Sequence, residues 1–101
     1  MVEEISKIHW SKEARLDLKD IYGYIKQNSR EVAEKVKEEI FSSSNKLKEN
    51  PKMYESDHYK IDNDGNYRAY HVYNYRISYR IKEDVIRILR VIHCSREPRE
   101  Y

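Results

Sequence analysis

Residues 75–93 read YRISYRIKEDVIRILRVIH, and their alternation decides the fold. Tyr75, Ile77, Tyr79 and Ile81 alternate with Arg76, Ser78, Arg80 and Lys82. A period of two sends successive side chains to opposite faces, so this is a half-buried strand with an apolar and a basic side. Lys82-Glu83-Asp84 turns the chain into Val85–His93, which is apolar on both sides except at Arg87 and Arg90, the pattern of a central strand.

Working back from this pair, Tyr67–Tyr73 reads as a further strand that breaks at Asn74. Asn63-Asp64-Gly65-Asn66 before it is a turn, because these residues tolerate positive φ. His58–Ile61 reads as a weak strand.

Before Pro51 the period changes to about 3.6. Ser29 is placed to cap a helix whose buried positions are Ala33, Val36, Ile40, Ser44 and Leu47, spaced by three and four. Asn50-Pro51 stops it, since proline has no amide hydrogen to donate. An earlier helix, capped by Ser11 and running to about Lys26, carries Ala14, Leu18, Ile21, Tyr22 and Ile25 on one stripe. Ile5–Trp10 reads as a first strand.

The expected fold is therefore α+β over residues 1–101 as one domain: an N-terminal strand, a two-helix hairpin, then a three-stranded antiparallel meander, all in one antiparallel sheet. The helices cover one face, and the arginines mark the other. Cys94–Tyr101 is a polar tail.

Composition excludes several function classes. The single cysteine, Cys94, rules out an internal disulfide framework and a cysteine-rich zinc site, and fits a reducing, cytoplasmic address. No apolar run approaches a membrane span, so no membrane partner is expected. His9, His58 and His71 lack the spacing of a metal site, and the two glycines make no phosphate-cradling loop, so neither metal nor cofactor is expected.

Charge is unevenly spread. Residues 1–65 hold 12 basic and 14 acidic side chains, and residues 66–101 hold 8 and 4. The basic third also has six of the ten tyrosines, which suits either a polyanion with stackable bases or a set of half-buried strands. Arg90, inside an apolar strand, needs a carboxylate such as Asp17 or Asp20, or an exit on the open face.

Taken in order, several elements resemble the RelE/ParE superfamily of toxins, to which plasmid-stabilisation proteins belong. They are Trp10-Ser11, Ala14…Asp17-Leu18…Ile21…Tyr24-Ile25, Ala33, Leu47…Pro51, Tyr75-Arg76-Ile77…Tyr79 and Ile86…Ile88-Leu89-Arg90…His93…Arg96. The resemblance implies a growth-inhibiting toxin neutralised by a cognate antitoxin, with one of two targets. One branch cleaves messenger RNA on the ribosome; the ParE-like branch inhibits DNA gyrase without being a nuclease.

The first branch is the expected one, with gyrase inhibition the alternative, because the residues the resemblance names as its catalytic candidates, Arg76, His93, Arg96 and Tyr101, occur together in one basic segment. The arginines would grip the scissile phosphate, His93 would exchange a proton, and Tyr101 would stack on a base or relay a proton. Arg68 and His71 stand where that branch carries a lysine pair. For the second branch the same arginines and the helical hairpin are an interface, and His93 is dispensable.

Overall fold

A computed structural model describes residues 7–96 and 98–101 of the chain. Its strands are β1 (Lys7–Trp10), β2 (Tyr67–Val72), β3 (Tyr75–Lys82) and β4 (Val85–His93). Its α-helices are α1 (Lys12–Lys26) and α2 (Arg30–Ser43), and a 3₁₀ turn follows at Ser44–Lys48. The first strand was expected from Ile5, but Ile5 and Ser6 lie outside the described residues.

The sheet order is β1-β4-β3-β2, so the last strand is inserted beside the first. The meander β2-β3-β4 is antiparallel as expected, with Ile77 opposite Val91 and Ile81 opposite Ile86. The expectation of a wholly antiparallel sheet is corrected at one edge, where β1 runs parallel to β4. A strand followed by helices is free of the hairpin constraint, which alone forces antiparallel pairing.

Both caps form as the sequence indicated: Ser11 accepts from the Ala14 amide and Ser29 from the Val32 amide. Ser11 also donates its hydroxyl to the carbonyl of Leu89, 2.9 Å away. This oxygen sits where the β3–β4 register slips, so that Leu89 is the extra residue of a β-bulge. One serine thus starts the helix and ties it to an irregularity in the sheet.

α2 ends earlier than Asn50-Pro51. Ser43 and Ser44 turn their hydroxyls back onto the carbonyls of Ile40 and Phe41 and so compete with the helical ladder, and the chain tightens into the 3₁₀ turn. The core lies between the hairpin and one sheet face: Ala14, Leu18, Val36, Ile40 and Leu47 against Ile77, Tyr79, Ile81, Ile86, Ile88 and Val91. Each fully buried aliphatic side chain contributes about 1.5–3 kcal/mol from water exclusion.

Two tyrosines, Tyr70 and Tyr79, belong to this core, and Tyr54 packs against it. Tyr54 stacks on Tyr70, which meets Tyr79 edge-on, and the Tyr79 hydroxyl donates to the Pro51 carbonyl at 2.7 Å. Burial pushes the Tyr70 hydroxyl up to about 12. Among the described residues no helix is long and apolar enough to cross a membrane.

His58–Ile61 is a turn, not the weak strand expected. The Asp57 carboxylate accepts from the Tyr59 amide and the Asp57 carbonyl from the Lys60 amide, bending the backbone where a strand would continue. Strand-like pairing occurs just upstream, as a single bridge between Ser56 and Arg68.

Candidate functional site

The loop between the 3₁₀ turn and β2 carries a residue whose importance no motif announces. Asp57 is buried, at 3% exposure, on the open side of the sheet. One carboxylate oxygen is ion-paired with Arg76, and the other accepts from the Tyr101 hydroxyl at 2.6 Å. Burial pushes the carboxyl up, but hydrogen bonds from Tyr101, the Tyr59 amide and Arg76 outweigh it and hold the group below its ordinary 3.8. Four further acids in this loop, Glu49, Glu55, Asp62 and Asp64, are exposed. Spacing alone could not single out Asp57 among the five.

Arg76 reaches Asp57 from the middle of the sheet, with its guanidinium also 5.0 Å from the Tyr59 ring centre. Tyr101 is held at several points: its amide donates to the Tyr59 carbonyl, its carbonyl accepts from the Ile61 amide, and its ring lies T-shaped to Tyr67. Burial, followed by the hydrogen bond to Asp57, pushes its hydroxyl well above the ordinary tyrosine range.

His93 stands apart from this cluster. It pairs with Tyr75, one position along from the Arg76–Ile92 pair, and so projects to the helical side of the sheet while Arg76 projects to the open side. Its ring lies edge-on to Tyr75, and Nδ1 accepts from the Ser95 amide at 3.0 Å and lies 2.7 Å from the Ser95 hydroxyl. That acceptor role leaves the proton of the neutral ring on Nε2. Arg96 is exposed just beyond, its amide donating to the His93 carbonyl.

Arg76, His93 and Arg96 still contribute to one cleft of about 450 Å³ at the end of the sheet. Tyr101 lines a neighbouring groove of about 830 Å³ instead. That groove runs over the open face and is bordered by six arginines: Arg76, Arg80, Arg87, Arg90, Arg96 and Arg99. Arg90 meets the first of the two outcomes expected for it, pairing with Asp17 through Nε at 2.7 Å and Nη2 at 3.1 Å. The same carboxylate accepts from the Val91 amide, on the stretch of β4 beyond the end of β1. Among the described residues no group of three or more His, Cys, Asp or Glu side chains is placed to hold a metal ion.

Comparison with known proteins agrees with this architecture. One solved structure, described as a chromosomal ParDE TA system from P. aeruginosa, superposes with a TM-score of 0.70 at 21% identity. The match covers 91% of this chain and 98% of the other. No curated protein sequence matches. The profile of the family described as "ParE toxin of type II toxin-antitoxin system, parDE" matches residues 8–98, nearly the whole chain. The strand, helical hairpin and three-stranded meander are thus those of a toxin, and the chain belongs to the ParE toxin family of type II toxin–antitoxin systems.

Proposed function

We propose that this toxin, which a cognate antitoxin holds in check in the cytoplasm, acts by binding DNA gyrase and not by cleaving RNA. The observation that carries the reading is the shared use of Asp57 by Arg76 and Tyr101. A metal-free ribonuclease needs a cation free to meet the phosphate and groups ready to move protons. Here the Arg76 charge is already neutralised by a buried carboxylate. The Tyr101 proton is held by that carboxylate, and His93 projects from the opposite side of the sheet. Arg68, which stands in the stretch of the ribonuclease branch's lysine pair, is spent on the carbonyls of Tyr54 and Gly65.

Messenger RNA cleavage by Arg76, His93, Arg96 and Tyr101 is the second reading. It is favoured by the cleft that Arg76, His93 and Arg96 line together. The purified chain should be added to a gyrase supercoiling assay and, separately, to a translation reaction in which message integrity is followed. Loss of supercoiling with intact messages, unchanged within about twofold in His93→Ala, is the expected result. Messages cut at ribosome-bound codons, with supercoiling unaffected and cleavage lost in Arg76→Ala/Arg96→Ala, would move the assignment to the ribonuclease.

A further inference from the structure

The arginine-bordered groove has features that neither Asp57 nor the helical hairpin explains. Arg80 and Arg87 are directly opposite each other on β3 and β4, and so share the open face. Like charges directly opposite in an antiparallel pair destabilise the sheet. Of the six groove arginines, Arg76 and Arg90 are held in salt bridges, whereas none of the described salt bridges reaches Arg80, Arg87, Arg96 or Arg99. Among the described residues, the acids near these cations are Glu13, which lines the groove, and the exposed Asp64, which feels the charge of Arg80. A sheet that tolerates this repulsion presents a field suited to a polyanion.

The rings in the groove decide which polyanion. Tyr67 and Tyr101 are the two that line it. Tyr67 already has Arg80 at 5.1 Å and Lys60 at 4.8 Å from its centre, with Tyr101 against its edge. Tyr101 has Lys60 at 5.4 Å. Tyr67 is thus covered by two cations, which leaves Tyr101, 39% exposed, as the single ring offered to a base, short of the row of aromatic faces on which single strands are held. What remains are guanidinium groups arrayed for phosphates, which a duplex offers with its bases paired. Protein–protein interface centres are depleted of charge, whereas protein–DNA interfaces are strongly positive, so this groove fits the second kind.

We infer that the open face of the sheet, through Arg80, Arg87, Arg96 and Arg99, binds the phosphate backbone of duplex DNA. Placed on the gyrase reading, the groove would grip the DNA segment that the enzyme holds, so that toxin and target share a nucleic acid. The DNA contact itself is measurable without gyrase.

Fluorescence anisotropy of the full chain with short labelled duplex DNA, from about 50 to about 200 mM salt, tests it. The wild type should bind with a steep salt dependence. Arg80→Ala/Arg87→Ala should raise Kd at least tenfold and flatten the logarithmic salt slope by about two, one for each phosphate contact removed. Lys19→Ala/Lys35→Ala, exposed on the helical hairpin, should change neither, and circular dichroism should show both variants folded.

The salt dependence of the wild type requires no variant and stands if one unfolds. A flat salt dependence, or an unchanged Kd and slope in the folded arginine variant, overturns the inference. So does tighter binding of single-stranded RNA than of duplex, or saturation by polyglutamate with no DNA binding. Duplex binding without inhibition of supercoiling would sink the gyrase reading and leave the groove assignment in place.

Discussion

Tyr101 and Asp57, 44 positions apart, are joined by a 2.6 Å hydrogen bond that fastens the end of the described chain to the loop before β2. Because Arg76 occupies the other carboxylate oxygen, Asp57→Asn leaves a guanidinium only 15% exposed without its counter-charge. Loss of one partner of a buried pair costs about 3–5 kcal/mol. A thermal melt should therefore fall by more than about 10 °C. Tyr101→Phe removes one hydrogen bond to a charged acceptor and should cost about 1.5–3 kcal/mol, leaving the ion pair intact.

Acid should act through the same carboxylate. Its folded-state titration lies below the ordinary 3.8, so its stabilising contribution is fully present above that value and is lost as pH falls through the lower, folded one. Urea midpoints taken from pH 6 down to about pH 2 should decline more steeply for the wild type than for Asp57→Asn. Parallel curves would mean that Asp57 is not the group responsible.

The pairing of Arg90 with Asp17 should prove unequal when cut from either side. Arg90 is 47% exposed, so solvent screens its charge, and Arg90→Ala should cost under about 1 kcal/mol. Asp17→Ala also strips the Val91 amide of its acceptor and should cost about 1–3 kcal/mol. A double-mutant cycle in urea gives both numbers, and equal single costs would show that the amide contact carries nothing.

Glu83 turns the β3–β4 hairpin with φ of 57°, in the left-handed region where a side chain is strained. Glycine occupies that region freely, although it gains more entropy in the unfolded chain. Glu83→Gly should therefore raise stability by about 0.5–1 kcal/mol, a melting increase of a few degrees. A fall would place the residue's value in its side chain.

Periodicity reports which way a side chain faces, and this made the core and the meander readable. Tyr75–Ile81 and Ala33–Leu47 showed their buried stripes directly, and Ser11 and Ser29 sat where caps belong. Periodicity does not report which distant element lies alongside, so the parallel edge between β1 and β4 was hidden. Asp57 was hidden too, for its role depends on Arg76 and Tyr101 arriving from 19 and 44 positions away. The candidates themselves were legible as residue types near the end of the basic segment. That Arg76 and His93 would project from opposite faces follows from register, which only pairing fixes.

The insertion of β4 between β1 and β3 also has a consequence in time. During synthesis β1 is the first of the four strands to emerge, yet its partner β4 is the last of them; Ser11 and Leu89, which lock the two together, are 78 positions apart. A ribosome that stops before Val85 releases β1, the helical hairpin and the β2–β3 pair without the strand that joins them. The sheet therefore cannot close around its core until β4 has been made, so the strand that comes last of the four is the one that turns separate pieces into a single body.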